Sequence, residues 1–204
     1  MAFFASLQTL LRTRAKPVST KVSRICAVDA AYRGNYVIAV ASVLEEGRLV
    51  EKSVYRGHCT FPYVSGLFYL REGPFAVETV RRLEVRPHLV CFDAHGAAHP
   101  RHAGLATVCG MVLGIPSIGI AKSLLMGRVV SGAHGLDRML HEGKTVGLVT
   151  TVGGVTTYWS AGYSVNLRSL GSLVHRYGQI CLQAVAESHR TAKEEIQARS
   201  KSLS

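Results

Sequence analysis

The stretch Leu89-Val90-Cys91-Phe92-Asp93 is a continuous apolar run that stops on an acid. Such a run, without polar alternation, is typical of a strand buried on both faces, as in a parallel sheet covered by helices. Residues 24–28 (RICAV) form a second apolar run, which stops on Asp29. Ligands bind just outside the carboxyl ends of parallel strands. We therefore expect Asp29 and Asp93 to emerge side by side at one edge of a sheet.

The segments around these two runs predict the fold class. A three-strand antiparallel meander is predicted from the strand-like segments 24–28, 35–44 and 48–55. Later strands are predicted at 117–121, 146–152 and 155–160, and helices at 74–85, 102–113, 167–177 and 181–198. Pro74 suits the first turn of the first helix. A meander followed by strands that alternate with helices predicts an α/β fold with a mixed sheet flanked by helices.

Length and charge limit the number of domains and the class of partner. The chain has 204 residues, enough for one domain with a substantial core. Its 24 Lys and Arg against 13 Asp and Glu give a formal charge of +11. This balance favours a polyanionic partner such as nucleic acid, although membrane-surface and ribosomal proteins share it. We predict a basic N-terminal arm over residues 1–21 and a single domain over 22–204.

Cysteine usage and hydropathy indicate the compartment. None of the five cysteines lies in a C-x-x-C pair, so neither a disulfide framework nor a zinc ribbon is indicated, and a reducing compartment is expected. No apolar run approaches the ~20 residues needed to span a bilayer, and the N-terminus lacks a secretory signal pattern. Residues 1–28 are basic and free of acids, which would also suit a transit peptide. We expect a cytoplasmic, monomeric protein that does not enter a membrane.

Three acids stand where solvent is not expected. Asp29 and Asp93 follow apolar strands, and Glu72 lies between an aromatic-rich segment and Gly73-Pro74. A carboxylate taken out of water without a partner costs several kcal/mol. Magnesium is a suitable partner because it binds carboxylates together with phosphate oxygens. Each acid taken alone could instead cap a helix or pair with an arginine.

The loop after Asp93 is rich in titratable groups. Residues 93–102 (DAHGAAHPRH) contain three histidines and Arg101, and Gly96 permits a close backbone approach. Histidine can act as a general acid or base near neutral pH, and arginine can clamp a phosphate. This composition favours a functional loop over a purely structural one.

Two other segments complete the pattern. Residues 61–69 (FPYVSGLFY) combine four aromatic side chains with Pro62 and Gly66, which suits stacking on bases or wedging a strand open. Some of these aromatic side chains are expected to fill the core instead. The run Ile118-Gly119-Ile120-Ala121-Lys122 delivers a lysine just past an apolar strand, within reach of the same sheet edge.

Taken together, these segments resemble the endonuclease V family of deoxyinosine-specific nucleases. The match rests on Ala27-Val28-Asp29, on Pro62-Tyr63 with Gly66, Arg71-Glu72 and Pro74, on Phe92-Asp93-Ala94-His95-Gly96 with His99-Pro100-Arg101 and Gly104, and on Gly119-Ile120-Ala121-Lys122. Order and spacing agree over most of residues 22–178. The resemblance implies a ribonuclease H-like core and hydrolysis of a phosphodiester bond on the 3′ side of inosine, in DNA or RNA.

The resemblance also implies roles for individual residues. Asp29, Glu72 and Asp93 would bind Mg²⁺, with Mn²⁺ as a substitute, and His99 and Lys122 would lie beside the metal and the phosphate. Tyr63 would be the wedge that fills the gap left by a flipped base, which must leave the stack before its edge can be read. The inosine pocket and its substrate contacts would come from Gly66, Leu67, Phe68, His95, Gly96, Arg101, Gly104 and Leu105.

The sequence departs from the family pattern at three positions. Where the family has a late metal-proximal histidine after glycine, this chain has Tyr163 after Gly162. A tyrosine phenol stays protonated near neutral pH and is then a poor Mg²⁺ ligand. Ala94 replaces a usual glycine and Ser65 a usual proline.

Two other functions remain open on sequence grounds. A fold of this type could bind nucleic acid without cutting it, and Tyr163 favours that alternative. A nuclease of the same fold could also prefer a branched junction or ordinary RNA, because discrimination between DNA and RNA depends on contacts to the 2′-hydroxyl.

Overall fold

The computed structural model describes Phe4, Ser6, Gln8, residues 21–133 and residues 135–201. The predicted basic arm, residues 1–21, lies outside the described residues apart from Phe4, Ser6, Gln8 and Lys21. Within the described part of the chain, no helix combines the length and the apolar character that a membrane crossing requires.

The described residues form one sheet of nine strands in the order β3-β2-β1-β4-β5-β9-β8-β7-β6. The strand bounds are β1 (Arg24–Arg33), β2 (Tyr36–Glu45), β3 (Arg48–His58), β4 (Leu89–Phe92), β5 (Ser117–Ala121), β6 (Arg128–Val130), β7 (Asp137–His141), β8 (Lys144–Val152) and β9 (Val155–Ala161). β4 runs parallel to β1 and β5, and the other neighbours are antiparallel. The predicted meander and mixed sheet are confirmed.

β4 is buried on both faces, as its unbroken apolar run predicts. Leu89 and Cys91 join a hydrophobic cluster on one face, and Val90 and Phe92 join a cluster on the other. Three helices in the described residues cover the sheet: α1 (Phe68–Arg81), α2 (Leu105–Leu113) and α3 (Leu167–Lys201). α1 and α2 pack in the Val90 cluster and α3 in the Leu89 cluster.

The first helix begins earlier than predicted. The prediction of a helix over 74–85, with Pro74 in its first turn, is wrong because α1 begins at Phe68 and contains Pro74 in its interior. Proline lacks an N–H and crowds the carbonyl four residues earlier, so Pro74 predicts a helix start and not a helix interior. Glu72 therefore lies on the buried face of a helix instead of in a loop.

The C-terminal region is one helix, where two were predicted. α3 runs for 35 residues and passes through Gly178, which lies against the ring of Trp159. The part of this helix from Ile180 onward is packed against the sheet. Its small side chains at Cys181, Ala184, Ser188 and Ala192 are buried. This part of α3 packs on β1 and β2 and so reaches the sheet edge that carries Asp29.

Two short strands were not predicted. β6 and β7 are three and five residues long, and β7 (DRMLH) shows little apolar alternation. Such segments carry too few residues for a pattern to be recognised. They extend the sheet beyond β8 and hold the segment that follows β5, which lines the candidate site described next.

Candidate active site

Asp29 lies inside β1, and the expectation that a strand ends there is wrong. β1 continues to Arg33 along its antiparallel partner β2. Its parallel partner β4 stops earlier, since the last paired residues are Val28 and Phe92. The backbone N–H of Asp93 still donates to the carbonyl oxygen of Val28, at 3.3 Å. The two aspartates therefore emerge together where β4 ends, as the sequence predicts.

A histidine from α3 completes this group. Asp29, Asp93 and His189 each offer one ligand atom, and the three atoms lie within 4.8 Å of one another. His189 Nδ1 is 2.6 Å from Asp29 Oδ2. One residue earlier, the buried hydroxyl of Ser188 donates to the carbonyl oxygen of Ala27, at 2.9 Å. These two contacts align α3 with β1 at the site.

Glu72 approaches the aspartates from the other helical layer. It is buried on α1, and the hydroxyl of Tyr32 on β1 donates to its carboxylate at 3.3 Å. Burial raises the pKa of Glu72 to about 8, and the negative charge of Asp29 adds to the rise. Glu72 therefore interacts electrostatically with both aspartates, although it is outside the group of three that shares the 4.8 Å cluster.

The charges in this region suit a cation. Burial raises the pKa of Asp29, and the neighbouring Asp93 raises it further. A buried carboxylate beside a second negative charge is stabilised by a divalent ion that binds both groups. Two carboxylate oxygens and one imidazole nitrogen are a suitable donor set for such an ion. On the other side of Asp93, Lys122 Nζ lies 2.6 Å from its carboxylate.

A cavity of about 430 Å³ opens beside the acids, and Asp93 belongs to its wall. Its size falls within the range of small-ligand sites. The wall combines aromatic and apolar side chains with a few polar groups. The lining residues are Gln8, Tyr63, Ser65, Gly66, Phe68, Tyr69, Asp93, Ala94, His95, His99, Gly104, Leu105, Ala121, Lys122, Ser123 and Leu125.

Most of the residues predicted to form the pocket or contact the substrate line this cavity, but Leu67, Gly96 and Arg101 do not. Leu67 is buried at the start of α1 in the core cluster, and Gly96 is buried behind the wall. A Cβ at Gly96 would lie 2.2 Å from the carbonyl oxygen of Ala161. Packing against the end of β9 therefore requires glycine at position 96. The close backbone approach predicted for Gly96 is to the backbone of the protein itself and not to a ligand. Gly104 likewise has no room for a side chain, because His95 O would lie 2.3 Å from its Cβ.

Tyr63 is exposed at the mouth of the cavity. Its side chain is the most open of the large apolar residues described, at 70% exposed. The ring meets Phe68 edge-on, with the centroids 6.2 Å apart. The turn behind it is closed by a hydrogen bond from the Leu67 N–H to the carbonyl oxygen of Val64, at 2.9 Å. An aromatic side chain on a firm turn is thus presented to solvent.

The Endonuclease V family model matches residues 6–190, nearly the whole chain. The chain belongs to the endonuclease V family. Two relatives named endonuclease V come from Saccharolobus islandicus. One is 34% identical over 176 residues, which are 85% of each chain. The other is 39% identical over 129 residues, which cover 62% of this chain and 63% of the relative, less than two thirds of its length.

Solved endonuclease V structures share the fold. The structure of the Streptomyces avermitilis endonuclease V matches with a TM-score of 0.85 at 26% identity, over 98% of this chain and 95% of that chain. A Ciona intestinalis endonuclease V, in complex with a 24mer DNA containing an inosine followed by a ribo-adenosine, matches with a TM-score of 0.82 at 18% identity, over 97% and 98% of the two chains. The predicted ribonuclease H-like fold is confirmed.

Within this endonuclease V fold, Arg101 and His99 contact protein groups. The Arg101 guanidinium donates to the carbonyl oxygen of Gly66 and, at 2.6 Å, to the side-chain oxygen of Gln8. His99 Nδ1 accepts the Arg101 backbone N–H at 3.2 Å, and its ring also bonds to the Gly66 backbone. Burial lowers the pKa of His99 to about 4, and the charge of Arg101 assists. Both side chains therefore hold the turn that carries Tyr63.

Tyr163 is far from the acids, so the inference that it replaces a metal-proximal histidine is wrong. Its backbone N–H donates to the Ser117 hydroxyl at 2.8 Å, at the first residue of β5. Lys122 follows the last residue of β5, and each residue of a strand advances about 3.3 Å. Tyr163 thus lies at the opposite end of the strand from the site. A later histidine, His189, lies beside the acids instead, and the sequence analysis did not identify it.

One signal could have identified His189. The buried residues Cys181, Ala184, Ser188 and Ala192 recur at helical spacing, and His189 is adjacent to that stripe. A histidine at the rim of a buried helical face, in a chain with two strand-end aspartates, is a candidate ligand.

Proposed function

We propose that the chain is a divalent-metal-dependent endonuclease that hydrolyses a phosphodiester bond on the 3′ side of inosine in DNA or RNA. The observation that carries the proposal is Asp93, which belongs both to the cluster with Asp29 and His189 and to the wall of the cavity. A cation held by the cluster would therefore lie next to a base held in the cavity. Both could then contact the same nucleic-acid strand.

Asp29, Asp93 and His189 would hold the divalent ion, with Glu72 close enough to assist. When bound, Mg²⁺ supplies Lewis-acid stabilisation of the phosphoryl oxygens and activates water. Mn²⁺ is expected to substitute, because it accepts both carboxylate and imidazole ligands.

The chain's own cation acts on the substrate phosphate. Lys122 is 68% exposed in its side chain although it pairs with Asp93, so its ammonium can reach a phosphate oxygen at the cavity mouth. Negative charge that develops on the phosphate is best stabilised by donors already in place. Lys122 is fixed by Asp93 before the substrate arrives, which supports this role.

The cavity would take the extruded base. A base must leave the stack before its edge can be read, and a mispaired inosine is cheaper to extrude than a paired base. Tyr63 would occupy the gap that remains, since its exposed ring stands beside the cavity. The bound inosine-containing DNA of the Ciona relative supports this substrate class. We propose a monomer as the active form.

The alternative of a non-cleaving binding module rested on Tyr163. His189 supplies a nitrogen ligand atom at the acids, so the reason for doubting a metal site is removed. A junction-specific nuclease would not need an aromatic-walled cavity next to its acids. We therefore favour an inosine-directed nuclease.

The proposal is tested with 5′-labelled DNA and RNA oligonucleotides that contain one inosine or one adenosine at the same place. We expect the wild type to cut the inosine strands when Mg²⁺ is present, and Asp93→Asn to bind them without cutting. Binding without any cleavage by the wild type, in Mg²⁺ or in Mn²⁺, would support the binding module instead.

A further inference from the structure

The segment between β5 and β6, residues 122–127, is anchored at both ends. Near its start, His95 Nε2 lies 3.0 Å from the carbonyl oxygen of Ser123. At its end, Gly127 has φ +75°, and a Cβ there would lie 2.1 Å from the carbonyl oxygen of Leu140. The backbone of Gly127 is therefore in close contact with β7. The segment is held by the sheet extension and is not a free loop tip.

The side chains in the middle of the segment are also packed against the protein, except that of Leu125. Leu124 and Met126 pack against the hydrophobic cluster that includes Met139 and Val149. Leu125, between them, lines the cavity with the acids and is 46% exposed. The two inward neighbours orient Leu125 outward. Leu125 is therefore exposed because its two packed neighbours fix the backbone on either side of it.

Leu125 and Tyr63 share an unusual position. Among the large hydrophobic residues that are exposed in the described part of the chain, these two line the cavity. They come from separate segments, one before α1 and one after β5. Apolar side chains held in solvent beside a binding cavity indicate a surface that is covered by a ligand.

The charges around Leu125 indicate what covers it. Lys122 lies three positions before it and Arg128 three positions after it, and both are exposed. An exposed apolar side chain on a segment with a cation near each end suits the flat face of a nucleobase next to backbone phosphates. Leucine is among the side chains that proteins insert at base steps.

We propose that Leu125 is a second apolar contact for the nucleic acid, which packs against the base next to the extruded inosine. This proposal rests on the proposed function. Tyr63 and Leu125 would then both touch the strand at the cavity mouth, from two separately anchored segments. The contact forms only when a base has entered the cavity, so it increases the preference for inosine-containing strands.

The test measures binding of Leu125→Ala to fluorescent oligonucleotides with and without one inosine, by anisotropy, in Ca²⁺ so that no strand is cut. Leu49→Ala is the matched control, since Leu49 is 45% exposed but lies on the edge strand β3. We expect Leu125→Ala to weaken inosine binding about tenfold, as loss of one buried leucine contact implies. Binding of the ordinary strand and the behaviour of Leu49→Ala should be unchanged.

Two further variants keep the test decisive. Leu125→Met retains an apolar side chain and should bind as the wild type does, while Leu125→Gln has similar length without the apolar tip and should behave as Leu125→Ala does. Equal weakening of both strands, or no weakening, would overturn the proposal for Leu125. A wild type with no preference for inosine would instead overturn the proposed function, and the role of Leu125 with it.

Discussion

At the scale of single residues, Glu72 shows how the site is balanced. Its carboxyl group is buried beside Asp29 and receives a hydrogen bond from Tyr32. A buried acid of this kind keeps its proton to an unusually high pH unless a cation is near. The same side chain can therefore stabilise the metal-free protein when protonated and interact with a cation when ionised.

Glu72 gives the metal-free protein a pH-dependent stability. Its folded pKa of about 8 exceeds the ordinary value of 4.5, so the stability it contributes is present at low pH and is lost as the pH rises towards 8. His99, with its pKa lowered to about 4, works in the opposite direction below pH 6.5. We therefore expect the free energy of unfolding to fall between pH 6.5 and 8, by at most about 1.4 kcal/mol per pH unit.

Urea unfolding in the presence of a chelator measures this effect. Glu72→Gln cannot ionise and should abolish the decrease. A decrease of the same size in Glu72→Gln would show that another group is responsible.

Tyr63 supplies a second prediction at this scale. Tyr63→Ala removes an exposed aromatic face, and base stacking on such a face is worth about 1–3 kcal/mol. We expect roughly a tenfold loss or more in affinity for inosine-containing strands, with a smaller loss for ordinary strands. Val152→Ala is the control, because Val152 is 68% exposed at the β8–β9 turn. Equal losses for both strands would exclude a wedge role.

At the scale of elements, α3 and β1 form the site together. The hydroxyl of Ser188 contacts the backbone of β1, and the next residue, His189, contacts Asp29. The register of a long helix on a strand is fixed here by one buried hydrogen bond and by small side chains. α3 thus presents a ligand to the acids as well as covering the sheet.

Ser188→Ala tests this register. Loss of the bond to Ala27 should let His189 shift, and groups that orient a metal ligand commonly affect metal affinity by 10–100-fold. We expect about a tenfold weaker Mn²⁺ affinity by calorimetry, with α3 still folded by circular dichroism. Ser172→Ala removes a helix serine that bonds within its own turn, at 3.4 Å to Arg168, and should have no effect. Identical Mn²⁺ affinities in the two variants would contradict the account.

At the scale of the whole molecule, the features that could be predicted from the sequence are those that depend on a local pattern of residues. The apolar runs ending near Asp29 and Asp93 predict both the parallel strands and their adjacent acids, and β5 has the predicted bounds. The contact between His189 and Asp29 joins residues 160 positions apart, so it depends on how α3 docks. The start of α1 differs from the prediction for a local reason, since Pro74 indicates a first helical turn but lies in the interior of α1.

The same contrast applies to the residues of the cavity. Tyr63, Gly66, Phe68, His95, Gly104 and Leu105 were predicted from motifs and line it. Gln8 and Leu125 were not predicted, because neither lies in a pattern with a recognisable chemistry. The charge of Arg101 predicts a substrate contact, yet its guanidinium donates hydrogen bonds to Gly66 and to Gln8. The presence of charged residues in a loop indicates that the loop is functional, but it does not show whether each charged side chain contacts the substrate or the protein.

The most direct measurement of the central claim maps the cut relative to the inosine. Two otherwise identical oligonucleotides carry the inosine at positions that differ by about three nucleotides, and both are incubated with the wild type and Mg²⁺. We predict that the cut lies on the 3′ side of the inosine and moves by the same number of nucleotides. A cut that stays in place when the inosine moves, or equal cutting of a strand without inosine, would contradict the account.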